Sequence, residues 1–120
     1  MSIQTVLSKI ASQPEQVSFN EVIESITQHY HYSPSRFHNG ATHDRMTNEA
    51  GSNEGSCKIF AFAKLNRLSE QQTLHCFGNY YRQDVLENPQ GSDHANIRHF
   101  ITHGWPGIKF DQMPLIEQQG

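Results

Sequence analysis

From Ser56 to Arg67 the chain reads SCKIFAFAKLNR, and Ile59, Phe60, Phe62, Ala63 and Leu65 leave little polar surface on any side of it. An element that is apolar all round has to be enclosed, so the rest of the chain must fold about this segment. A short apolar run has no period of its own to separate a buried helix from a buried strand. The two alanines, the leucine and the Lys-Leu-Asn-Arg ending favour a helix over 56–67. The approach to it, AGSNEGS at 50–56, is a tight turn in which Ser52, Asn53 and Ser56 are all plausible N-caps.

Four more helices are expected around it. Ile3, Val6, Leu7 and Ile10 share one face of a first helix over 2–12, with Ser2 as its cap and Pro14 just past its end. Ser18 and Glu21 form a capping box for a helix over 18–31, and Val17 and Val22 are spaced as its hydrophobic staple. Ser69 and Gln72 form a second box, opening a helix that should run to about Glu87, with Leu74, Phe77, Gly78, Tyr81 and Val85 on its inner face. Asp93 is placed to cap a short helix bearing Ile97, Phe100 and Ile101, ended by Gly104, with Trp105 in GWPG plugging the end of the core and an extended tail beyond. Residues 33–56 carry no helical period and are rich in Asn, Gly, Ser and Thr. Polar loops of that length are uncommon in small folds and usually functional, and HNG at 38–40 is a turn signal for a short hairpin with strands near Phe37 and Met46. The fold expected is mainly α, a compact bundle of about five helices with a long polar loop at 33–56, or α+β where the hairpin forms. It should be a single domain over 1–120 with its core in 17–115.

Composition narrows the function classes. Apolar residues make up 35% of the 120, enough for a small core, and the net charge is −3 with the signs interspersed. No basic stripe offers a phosphate-backbone footprint, so nucleic acid is not an expected partner. No apolar run approaches the roughly 18 residues that span a bilayer. The start lacks the basic and apolar regions of a secretory signal, which points to the cytoplasm. The two cysteines, Cys57 and Cys76, fit no zinc or CxxC spacing and read as reduced, buried thiols.

Several groupings carry candidate chemistry. Cys57 falls in or near the first turn of the central helix, where free N–H groups favour a thiolate or a bound anion, and Lys58 adds positive charge. A cysteine nucleophile needs a histidine and often an orienting residue; the candidates are His94 with Asp93, or His38 and His43 in the long loop. The competing reading makes Cys57 a small core residue. For an anionic ligand the candidates are Asn53, Ser56 and Lys58 at the helix start, with Tyr80, Arg82 and Arg98. His99 and His103 stand i, i+4 on one helical face, the spacing of a two-histidine metal pair, with His94, His75 or Cys76 as a third ligand; HFITH lacks the glutamate of the zincin motif. No other cofactor signal is present.

FHNG at 37–40, NEAGSNEGSCKIFAFAKLNRLS at 48–69 and TLHCFGNYYRQDVLENPQGSDHANIRHFITHGWPGIKF at 73–110 together resemble the HopJ type III effector proteins, across roughly residues 17–115. The resemblance implies a bacterial protein, virulence-associated, delivered into a host cell by type III secretion, with a host-cell protein as partner. It brings no catalytic residues and no cofactor. The reading favoured is a small non-catalytic interaction protein of the effector type. A metal- or thiol-dependent enzyme, and a small anionic-ligand-binding protein using the Gly55–Lys58 helix start, are the alternatives.

Overall fold

The apolar segment forms a helix at the centre of the molecule. A computed structural model describes residues 3–118, in which the helices are α1 (Ile3–Ser12), α2 (Phe19–His29), α3 (Glu54–Leu65), α4 (Glu70–His75) and α5 (Ala95–His103). The strands are β1 (Tyr30–Tyr32), β2 (Phe37–Asn39), β3 (Met46–Asn48), β4 (Lys109–Phe110) and β5 (Leu115–Glu117). Six residues of α3 (Cys57, Ile59, Phe60, Ala61, Phe62 and Ala63) are buried. The Phe60 ring meets Phe100 at 5.0 Å, Phe77 at 5.4 Å and Phe37 at 6.0 Å between centroids, and so joins α3 to α5, to the turn after α4 and to the sheet. Val6 and Ile10 of α1, and Val22 and Ile26 of α2, pack into the same core.

Both capping boxes form. Ser18 Oγ accepts from Glu21 N while Glu21 Oε2 accepts from Ser18 N, and Ser69 with Gln72 does the same. Val17 and Val22 are both fully buried beside the first box, as a staple requires. Lys9 Nζ reaches Glu21 Oε2 at 3.0 Å and ties α1 to α2. The Ser2 cap lies outside the described residues.

The helix expected from Ser69 to about Glu87 is interrupted. α4 stops at His75, Gly78 turns the chain at φ 61°, and Tyr80–Val85 follows as a wide π-helical turn in which Leu86 N donates to Tyr81 O at 3.0 Å. Leu74, Phe77, Tyr81 and Val85 still face inward, so the apolar spacing was right and the path was not. Close packing forces the turn: a Cβ on Gly78 would lie 2.7 Å from the backbone nitrogen of Phe19.

The long polar segment is held by strand pairing. β2 and β3 form the antiparallel hairpin (Phe37 opposite Asn48, Asn39 opposite Met46), with Gly40 at φ 118° and a 3₁₀ turn at Thr42–Asp44 between them. β4 joins the other side of β2, giving the order β3-β2-β4, and β5 pairs separately with β1. The C-terminal tail therefore supplies two strands where only an extended arm was expected. Gly40 N donates to Gly107 O at 3.1 Å, which brings the tail backbone against the hairpin. Trp105 Nε1 donates to Leu68 O and its ring stands edge-on to Phe100 at 5.1 Å, closing one end of the core.

Candidate functional site

α3 and α5 each begin without a side-chain cap, and their first turns open on one cleft of about 470 Å³. At the start of α3, Asn53 is in the left-handed region (φ 50°, ψ 48°), and its side chain turns sideways to donate to Asn48 Oδ1 at 2.7 Å. The first intrahelical bond is Cys57 N to Asn53 O, which leaves the N–H groups of residues 54–56 without acceptors inside the helix. At α5, His94 takes the same backbone conformation (φ 51°, ψ 50°) and the first intrahelical bond is Ile97 N to His94 O. Two positive helix-dipole ends thus meet at one opening. The walls are Asn53, Ser56, Tyr80 and His94, with Phe19 and Met46. Tyr80 and His94 face each other at 5.2 Å, Phe19 meets the Tyr80 ring edge at 5.1 Å, and Tyr80 is 44% exposed. His94 Nε2 is 3.0 Å from Asp84 Oδ2 and 3.8 Å from Asp93 Oδ2, so its ring is positioned by carboxylates.

A buried asparagine network supports the two helix starts. Asn96 Oδ1 accepts from Asn39 Nδ2 and Asn48 Nδ2, and Asn48 Oδ1 accepts from Asn96 Nδ2 and Asn53 Nδ2. It ties the hairpin to both helices. No periodicity announced it; the only signal was the asparagine content of the 33–56 segment and the Asn before Ile97.

Four candidate residues, Asn53, Ser56, Tyr80 and His94, come together here. The other cationic candidates do not. Lys58 Nζ sits over the Tyr32 ring at 4.7 Å. Arg82 donates to Pro14 O and Val17 O and to both His75 O and His75 Nδ1. Arg98 grips Asp93 Oδ1 at 2.6 Å and Asn88 O at 2.9 Å, and its hydrogen bond holds the Asp93 carboxyl below its ordinary range.

Cys57 lies about a quarter-turn of helix from Ser56 and is 1% exposed. Its Sγ is 3.9 Å from Ser35 O, and burial pushes the thiol pKa up. The groups acting on it are Tyr32, Ser35, Glu54 and Lys58, not His94. A buried, protonated thiol is a poor nucleophile. Cys57 in the native protein is therefore expected to react with a disulfide reagent at pH 7 at least about a hundredfold more slowly than in urea, since reaction waits on opening; rapid native labelling would contradict its burial. Cys76 is likewise fully buried, its thiol pushed up to about 12.

His99 and His103 do share a face, and they close on Asp44, which the sequence did not single out. His99 Nε2 is 3.2 Å from Asp44 Oδ1 and His103 Nε2 is 3.0 Å from Asp44 Oδ2, while His99 Nδ1 donates to Ala95 O. These bonds pin the Thr42–Asp44 turn to α5, and the His103 bond is the main cause of a lowered Asp44 pKa. Among the described residues, no group of three or more His, Cys, Asp or Glu side chains is arranged to hold a metal ion.

Fold and cleft together define a small α+β protein built on a buried central helix, with two helix starts facing one opening of mixed polar and apolar lining. The chain matches the family model of the HopJ type III effector proteins over residues 3–115, and it belongs to the HopJ family. It is also similar to a solved structure described as the crystal structure of unknown function protein VPA0580: 43% identical, covering 98% of this chain and 95% of that one, with a TM-score of 0.93. No curated protein matches the chain. No helix among the described residues is long and apolar enough to cross a membrane.

Proposed function

We propose that the chain is a non-catalytic protein of the effector type that works by binding, and that the cleft between the starts of α3 and α5 is where it binds. The observation carrying this reading is the convergence of Asn53, Ser56, Tyr80 and His94, from three separate segments, on one opening. The groups on offer are donors and aromatic edges: the N–H groups of two helix starts, the Ser56 hydroxyl and the Tyr80 phenol. They suit a carboxylate or phosphate group on a small ligand or on a host protein. The commitment of Cys57 to the core, away from His94, supports binding over thiol chemistry. Membership of the HopJ family supports delivery into a host cell by type III secretion, with a host-cell protein as partner.

Titration with pyrophosphate, followed by amide NMR, tests the site. The amides of Gly55, Ser56, Ala95 and Asn96 are expected to shift together and saturate. Ser56→Ala should weaken binding about tenfold, the loss of one charge-assisted hydrogen bond of roughly 1.4 kcal/mol, with the thermal midpoint unchanged. Saturation without movement of those four amides, or no saturation, would remove the cleft as an anion site. A translocation reporter fused to the chain tests delivery separately.

A further inference from the structure

Beneath the N-terminal segment, Arg82 and His75 form a polar junction that the binding reading does not use. The 3₁₀ link Pro14–Gln16 joins α1 to α2, and Arg82 holds its two ends: Nη1 donates to Pro14 O at 3.1 Å and Nη2 donates to Val17 O. The same Nη1 is 3.3 Å from His75 O and 3.2 Å from His75 Nδ1. A guanidinium has no lone pair to offer, so His75 Nδ1 must be the acceptor, and the imidazole is neutral with its proton on Nε2. His75 is 8% exposed, and its ring stands edge-on to Tyr81 at 5.4 Å. The charged groups facing it are Arg82, from the turn after α4, and Glu15, from the link. The Tyr81 hydroxyl is occupied by Gln71 Nε2 at 3.0 Å.

We propose that Arg82 and His75 are an acid-opened clasp for the N-terminal segment: protonating His75 sets two cations in contact at the link and releases residues 3–17 from the rest of the fold. The proton taken up on Nδ1 removes the acceptor and adds a charge, so Arg82 loses one bond and gains a repulsion in a site with little water to screen it.

Burial, and secondly Arg82, hold the His75 pKa below its ordinary 6.5. A base with a lowered folded pKa binds more protons when open. Its contribution to closure is complete above the open-state value near 6.5 and is lost as pH falls through the folded one. Besides the buried Val6, Ile10 and Val17, the segment is held by Lys9 to Glu21, a pair that persists through that window because the Glu21 carboxyl is itself held below its ordinary 4.5. Opening of α1 should thus begin while the α1–α2 ion pair is intact.

Amide hydrogen exchange by NMR, corrected for intrinsic rates, tests the clasp at pH 7.5 and pH 5.5. Protection of residues 7–12 and of Val17 is expected to fall severalfold between the two, with about tenfold the most that one histidine of open-state pKa near 6.5 can supply, while the amides of α3 keep theirs. His75→Asn keeps an acceptor near the Nδ1 position and cannot titrate, so its α1 protection should not change with pH. A ring-proton titration of His75 in the unaltered protein must fall below 6.5, at the pH where the loss of α1 protection levels off, which secures the test if the variant fails to fold. The proposal is overturned by unchanged α1 protection, by a fall shared equally with α3, by the same fall in a folded His75→Asn, or by a His75 that titrates at or above 6.5.

Discussion

Phe60→Ala is expected to destabilise the protein by about 3–5 kcal/mol, the usual cost of truncating a fully buried aromatic side chain. Phe60 is 0% exposed and its ring touches Phe37, Phe77 and Phe100, which belong to the hairpin, the turn after α4, and α5. No neighbour can move in to fill the space without leaving one of the other layers, so the cavity term should be large. Marginal stability of roughly 5–15 kcal/mol makes this a substantial fraction of the whole. Urea unfolding followed by Trp105 fluorescence measures it. A loss below about 1 kcal/mol would mean that the core relaxes around the gap, and that Phe60 is not the shared contact of the three layers.

Gly78→Ala should cost about 2–4 kcal/mol, combining left-handed backbone strain of about 1–2 kcal/mol with a collision of overpacking size. The collision is with backbone: the new Cβ would lie 2.7 Å from Phe19 N and 3.4 Å from Ser18 C, at the capped start of α2. A control isolates it. Gly51 has φ 88°, and a Cβ added there would meet nothing within 4 Å, so Gly51→Ala carries the strain alone. The difference between the two variants is the close approach of the turn to α2. Because that approach also sets Phe19 against Tyr80 at 5.1 Å, Gly78→Ala should weaken pyrophosphate binding at the cleft as well. Equal effects of the two substitutions on stability would show that α2 shifts freely.

Much of the helical framework was legible because its signals are local. Ser18 with Glu21 and Ser69 with Gln72 satisfy backbone donors three residues away, and both boxes formed as read. The start of α3 was legible only as a turn. Asn53, Ser52 and Ser56 looked like caps, yet Asn53 caps nothing with its side chain and bonds Asn48 across the hairpin instead. Asp93 was read as the cap of α5; His94 holds that position, and Asp93 pairs with Arg98. Asx side chains choose between their own helix end and a distant partner, and the distant partner is invisible from nearby residues.

The candidate chemistry divides the same way. The i, i+4 spacing put His99 and His103 on one face, a matter of helix geometry, but what they face is Asp44, set 55 residues before His99 by the hairpin. Arg82, a ligand candidate in the sequence, is consumed by carbonyls more than 60 residues away at Pro14 and Val17.

By itself the sequence determined the buried central helix, the capped starts of α2 and α4, most of the inward-facing residues (Ile101 of α5 and Leu65 of α3 are exposed instead) and the HopJ family, because these depend on contacts within a few residues or on motifs read whole. Tertiary structure alone decided the break at Gly78, the pairing of the tail as β4 and β5, the asparagine network and the meeting of two helix starts at one cleft. Each of those is a choice among partners far apart in the chain, made by close packing and by the need to satisfy buried polar groups, and neither leaves a periodic mark on the sequence.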